Sequence, residues 1–198
     1  MKYFILFEIV LADMLRLKEK YNKEVVSAIQ EKFGYKNIMA VPKIEKVVVN
    51  VGFGKLCSGK TSNERREIQK AISSDLALIT GQQPYLTKAK KSISSFKLRQ
   101  GDFIGAMVTL RGQRMYDFLE RLIHVGLPRS QDFRGISSRS IDQKGNLTIG
   151  IKEHIIFPEI LPEKARIIFG FEVTVVTKAK TKEEGLELLK LLGFPIKP

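Results

Sequence analysis

The sequence predicts an α+β fold: a largely antiparallel sheet with helices packed on one face, a polar face left open, and a projecting basic loop. Three observations carry this. Period-two alternation of apolar and polar residues recurs in five short segments, at 43–51, 85–91, 103–111, 147–151 and 171–177. Helical periodicity fills only some of the intervals between them, so neighbouring strands follow by hairpins rather than by strand–helix crossovers. Finally, the alternation in the strands sets valines against lysine, asparagine, threonine and arginine, which is the pattern of a sheet buried on one side.

Taken in order, Leu17, Tyr21, Val25, Ile29 and Phe33 recur every four residues and stop at Gly34, an amphipathic helix with a glycine end. In the strand 43–51, Val47, Val49 and Val51 share one side while Lys46, Val48 and Asn50 share the other. Thr61-Ser-Asn-Glu64 has the form of a capping box and opens a helix through Ile68, Ile72, Leu76 and Ile79 to Gly81. Strands 85–91 and 103–111 flank a long basic loop; in the second, Ile104, Ala106, Val108 and Leu110 oppose Phe103, Met107, Thr109 and Arg111. A helix at 113–125 carries Met115, Phe118, Leu119 and Leu122 and is expected to close at Gly126 and Pro128. A hairpin is expected around Asp142–Asn146, then a strand at 171–177, and a last helix capped by Thr181 that ends at Gly193.

The 198 residues fit one domain, 14–198, preceded by an extension over residues 1–13. That extension is apolar but interrupted by Glu8, too short to span a bilayer and without a signal-peptide cleavage pattern; Met14 opens a cleaner start. The expected setting is the cytoplasm, with no membrane partner. One cysteine, Cys57, rules out an internal disulfide and multi-cysteine metal sites. His124 and His154 stand apart without ligand spacing, so no metal, no cofactor and no enzyme chemistry are expected.

Charge points to a partner. Lys and Arg number 34 against 21 acids, a net charge of +13. Self-repulsion of that size works against folding, and a polyanion such as nucleic acid offsets it. The densest run is GQQPYLTKAKKSISSFKLRQGDFIGAMVTLRG, 81–112, with six lysines and arginines against one acid, Asp102. Its cations, hydroxyls and single aromatics suit phosphates, ribose oxygens and base faces.

One motif argues otherwise. Residues 54–61, GKLCSGKT, match the phosphate-loop pattern GxxxxGK(S/T), after a strand and before a helix. Against an NTPase, no later strand ends in an aspartate suited to magnesium, and the following strands are hairpin-like rather than parallel. Lys55 and Lys60 read as solvated or phosphate-facing cations.

Long blocks of the chain resemble a family, the 5S-rRNA-binding ribosomal protein five of the bacterial large subunit. They are YNKEVVSAIQEKFGYKNIMAVPKIEKVVVNVGFG, the 81–112 run, FLERLIHVGLPRSQDFRG, IKEHIIFPEI and KTKEEGLELLKLLGFP. The resemblance implies a structural ribosomal protein that binds 5S rRNA in the central protuberance, beside large-subunit rRNA and neighbouring ribosomal proteins. It places 5S rRNA contacts at Asn50, Gln82, Thr109 and Arg111, with Lys46 and Lys88 beside them. It makes 91–101 an arm toward P-site tRNA, touching it through Lys91, Ser94, Ser95, Phe96, Lys97 and Arg99. It sets Arg129 and Arg134, in the loop PRSQDFRG, against a small-subunit head protein. Two features depart from the family: the extension 1–13, and the extra residues after Gly54 that supply Ser58, Gly59 and Lys60. The bland alternatives are that Asn50 bonds a neighbouring loop and that Arg111 pairs with Asp117 or Glu120. A free-standing RNA chaperone is the rival binding function.

Overall fold

Valine alternation builds the centre of the molecule. In a computed structural model that describes residues 16–131, 133–163 and 165–197, the nine-residue strand β1 (Ile44–Gly52) buries Val47, Val49 and Val51 and turns Lys46, Val48 and Asn50 outward. The extension expected over 1–13, and the start at Met14, lie outside the described residues. Four further strands join β1: β2 (Tyr85–Lys88), β3 (Phe103–Leu110), β4 (Leu147–Ile151) and β5 (Phe171–Thr177). All pairings are antiparallel and the order is β2-β3-β1-β5-β4. Two pairs of consecutive strands, β2–β3 and β4–β5, are neighbours joined by a single connection without an α-helix, of the kind that the alternation suggests. The first strand of the chain is the middle of the sheet, so its pairings with β3 and β5 are both made at long range.

Helices cover one face. Helix α1 runs through Leu17–Lys20, a π-helical turn at Tyr21–Val25, and Val26–Phe33, and ends at Gly34 with φ 70. The one-turn α2 (Gly54–Cys57) precedes α3 (Ser62–Thr80). Thr61 caps α3 with both halves of the expected box, its hydroxyl taking the Glu64 N–H while the Glu64 carboxylate takes the Thr61 N–H. Ile68, Ile72, Leu76 and Ile79 of α3 join Met115, Phe118, Leu119 and Leu122 of the next helix in one core with the inward strand residues. Each such side chain contributes about 1.5–3 kcal/mol by burial. The Phe118 and Phe157 rings stack at 5.7 Å.

Three expectations change. Helix α4 (Gly112–Arg121) does not close at Gly126: it continues through a π turn, Leu122–Gly126, to Leu127–Arg129. Gly126 is buried in helical conformation, and a Cβ there would lie 3.4 Å from Ile156 Cδ1 and 3.7 Å from Phe157 Cζ. This glycine does not reverse the chain, and a Cβ there would make ordinary packing contacts. Pro128 falls in the final turn, directly after the π turn. The hairpin around Asp142–Asn146 reduces to a tight turn with one bridge, Ile141 to Leu147, because the preceding Ser138–Ser140 is a 3-10 turn. Asp142 closes that turn by accepting from the Lys144 and Asn146 N–H groups at 2.9 and 2.8 Å. The strand expected over 85–91 also stops early, at Lys88.

The last helix, α5 (Lys182–Leu191), is capped by Thr181 and tied to the end of α1 through Tyr35, whose hydroxyl donates to Glu184 Oε1 at 2.7 Å. That bond is the leading cause of the raised Tyr35 pKa.

Candidate RNA-binding face

Strand register determines which polar residues meet. Asn50 lies opposite Met107 of β3 and Glu172 of β5, and Val48 opposite Thr109 and Thr174. Directly opposite residues in an antiparallel pair share a face. The side of the sheet away from the helices therefore carries Lys46, Asn50, Thr109, Thr174 and one acid, Glu172, with Tyr85 and Thr87 of β2 and Thr148 of β4. Asn50 is exposed; Lys46 and Thr109 are half-buried. Arg111 follows β3 in extended conformation, φ −140 and ψ 164, so its side chain keeps the parity of Thr109. Since Val47 is opposite Leu110, Lys46 and Arg111 stand at the same end of their strands.

Gln82 joins this group from the turn before β2. Its Nε2 donates to the Thr109 carbonyl at 3.3 Å, and its own backbone carbonyl accepts from Thr80 Oγ1 at 3.1 Å. The side-chain Oε1 remains for a ligand. Arg111 makes no ion pair with Asp117 or Glu120; Asp117 instead accepts from Gln113 at 2.9 Å. Among the described residues, Asn50 makes no side-chain hydrogen bond to a neighbouring loop. Lys88 stands apart from the cluster. It pairs with Phe103, its ammonium 5.3 Å from the ring centroid, at the end of β3 opposite Arg111. The length of β3 separates those two cations, about 26 Å at the rise of an extended strand.

The arm between β2 and β3 is a small structure of its own. Ile93 and Leu98 bridge, Ser94–Phe96 forms a 3-10 turn, and Lys97 adopts a left-handed φ of 50. Lys91, Ser94, Ser95, Phe96, Lys97 and Arg99 are all exposed, with Phe96 67% accessible. The arm is braced at its base. Asp102 accepts from the Arg99 N–H at 3.1 Å and from Arg65 of α3 at 3.2 Å.

The phosphate-loop match belongs to this brace. The Cys57, Ser58 and Lys60 N–H groups bond Phe53, Lys55 and Cys57 carbonyls, closing a helical turn, and the Thr61 hydroxyl caps α3. Amides and hydroxyl that a nucleotide phosphate would need are thus consumed within the chain. Ser58 also donates to the Phe96 carbonyl at 3.2 Å, so the extra segment touches the arm's tip.

Arg129 ends the last helical turn that continues α4, so the expected loop from Pro128 starts later, and Arg134 lies in the chain that follows, before β4. Arg129 lines a cavity of about 250 Å³ with Lys152 and Glu153, and Arg134 one of about 350 Å³ with Phe133 and Thr148.

His154 is fully buried and stacked on Phe169 at 4.0 Å. Its Nδ1 accepts from the Phe169 N–H at 3.5 Å, which leaves the ring proton on Nε2, 3.4 Å from Asp75 Oδ2. Burial pushes the imidazole below its usual range, with Asp75 opposing; burial likewise pushes the Asp75 carboxyl up. Below pH 6.5 the unfolded chain takes a proton that the folded imidazole refuses, so this group loses stability as pH falls. Asp75 acts in the opposite sense. In Asp75→Asn the opposing carboxyl is gone, and His124, whose pKa burial also lowers, acts in the same sense as His154; urea unfolding is expected to show at least about 1 kcal/mol less stability at a pH of about 5.5 than at about 7.5. A pH-independent midpoint in that variant would contradict the buried neutral histidine.

Two features of the face were not singled out from the sequence. Tyr85, 69% exposed, projects from the edge strand, and Gly52 leaves a gap in the neighbouring row. The period-two relation of Tyr85 to Thr87 was the available signal for the first; nothing in the chain marks the second.

Among the described residues no group of three or more His, Cys, Asp or Glu could hold a metal, and no helix is long and apolar enough to cross a membrane. A half-covered sheet with a polar, cation-edged open face and a braced basic arm defines a nucleic-acid-binding scaffold. Comparison with known proteins narrows that class. The model for ribosomal protein L5 matches residues 37–99, and the model for the C-terminus of the same ribosomal family matches residues 103–196. Large ribosomal subunit protein uL5 of Halothermothrix orenii is 52% identical over 179 residues, 90% of this chain and 97% of that protein. The uL5 of Clostridium botulinum strain Loch Maree is 55% identical over 185 residues, covering 92% and 98%. The chain belongs to the ribosomal protein L5 family. It is a structural constituent of the large ribosomal subunit and not an enzyme.

Proposed function

We propose that the open face of the sheet binds 5S rRNA and helps attach it in the central protuberance, in the cytoplasm, with residues 14–198 acting as one unit. The convergence of Asn50, Thr109, Arg111, Lys46 and Gln82 on one sheet face carries this reading. Arg111 supplies a planar fork for phosphate or a purine edge, Asn50 and Gln82 give and accept, and Thr109 offers a hydroxyl to a 2′-OH. Lys88, at the other end of β3, meets a separate stretch of backbone. Central β1 pairs with β3 on one side and β5 on the other, which supports a single unit. The arm 91–101 reaches P-site tRNA through its exposed cations, serines and Phe96. Arg129 and Arg134 face a small-subunit head protein, alongside large-subunit rRNA and other ribosomal proteins.

The test is binding to a 5S rRNA transcript against an unrelated structured RNA across a salt series. Preference for 5S rRNA, with affinity falling steeply as salt rises, is expected. Equal affinity for both RNAs would favour a chaperone. Removing residues 92–100 is expected to leave 5S affinity unchanged while impairing tRNA-dependent steps on reconstituted ribosomes. Loss of 5S binding in that variant would show that the two RNA contacts are not separate.

A further inference from the structure

The middle of the open face is built differently from its cationic end. Tyr85, Met107 and Asn50 occupy one row across β2, β3 and β1, being opposite one another in register. Strands lie about 4.8 Å apart, so the tyrosine and the asparagine are about 10 Å apart at the backbone, with the methionine thioether between them. The adjacent row is Thr87, Gly105 and Gly52, which holds only one short side chain.

The two glycines are there for different reasons. A Cβ on Gly105 would come within 2.7 Å of Thr87 Oγ1 and 2.9 Å of the Val51 carbonyl, so packing demands it. A Cβ on Gly52 would meet nothing within 4 Å, and its φ lies outside the range that disfavours side chains. Glycine in a strand weakens it, and here neither sterics nor backbone conformation asks for it. What Gly52 provides is open space: a shallow trough floored by backbone and bounded on one side by the Tyr85–Met107–Asn50 row, which Glu172 of β5 continues. Lys46 and Arg111 stand at the other end of the strands, and Lys88, at this end, is engaged with the Phe103 ring, so the trough is suited to a neutral flat group rather than to phosphate.

We infer that this trough is a subsite for one unpaired nucleobase of the bound RNA, which stacks on Tyr85 against Met107 and presents its edge to Asn50. The subsite rests on the RNA-face reading above; it gives Asn50 a base edge as its ligand and adds Tyr85, Met107 and Gly52, which that reading does not use. Aromatic planes and amide edges together are a recurrent means of holding a splayed base in single-stranded RNA.

The chain has no tryptophan, so Tyr85→Trp places a single reporter at the trough. Its emission is expected to be quenched on saturation with a 5S rRNA transcript, at unchanged affinity. Tyr85→Phe should bind as the wild type, whereas Tyr85→Leu should bind about tenfold more weakly. Gly52→Leu, which adds strand propensity and whose Cβ meets nothing within 4 Å, should melt no lower than wild type yet lose affinity to a similar degree. Wild-type affinity in both leucine variants, or an unquenched tryptophan in a saturated complex, overturns the subsite and leaves the RNA face standing. Failure of the wild-type protein to bind 5S rRNA overturns both.

Discussion

Gly185→Ala is expected to destabilise the protein by about 2–3 kcal/mol, although alanine is the better helix former by about 1 kcal/mol. Gly185 lies within α5, where that helix rests against the turn that precedes β4. A Cβ at Gly185 would collide with Gly145 Cα and come within 2.6 Å of the Gly145 carbonyl oxygen. These are backbone atoms, and the turn cannot retreat. Gly145 has a left-handed φ of 76, Asp142 clamps the turn through bonds to Lys144 and Asn146, and Thr177 donates to the Gly145 carbonyl at 3.0 Å. Propensity and packing therefore make opposite predictions. Urea unfolding decides between them: a midpoint equal to or above wild type would show that α5 does not approach the turn this closely. The same contact makes Gly145 intolerant, since a Cβ there would lie 2.9 Å from both Ala179 Cβ and Gly185 Cα.

Arg111→Ala is expected to weaken 5S rRNA binding by about 1–3 kcal/mol and to reduce the salt slope by about one counterion. The side chain is exposed, lies beyond the last ladder residue of β3, and makes no ion pair with the described residues, so its removal should not change thermal melting. Unchanged affinity with normal melting would refute the placement of RNA on this face. Lys46→Ala, from the same end of β1, should act in the same direction but less strongly, since a half-buried ammonium cannot fork onto two acceptors.

Much of this architecture was legible residue by residue. The alternation of Val47, Val49 and Val51 with Lys46 and Asn50 identifies both faces of β1, because period two admits only one such division. The Thr61–Glu64 pattern locates the start of α3 because the two groups satisfy each other's backbone partners. By contrast, Gly126 and Pro128 look like a helix end but lie within a continuing helix. A glycine's local conformational freedom gives no hint that here the chain keeps helical dihedrals and packs against Ile156 and Phe157, far along the chain. The GKLCSGKT segment shows the same limit. Its residue types satisfy a phosphate-binding pattern, yet its amides close a helical turn and its serine braces the arm.

Strand faces, helix caps, the basic arm and the family could all be read from the chain alone, since each is written in local periodicity or in contiguous residues. The central place of the first strand, between β3 and β5, could not. That order sets Tyr85, Met107 and Asn50 in one row with an empty trough beside them, and it moves Lys88 away from Arg111. Register is the cause. Which residues stand opposite each other depends on hydrogen bonds between segments distant in the chain, and no local pattern carries that information.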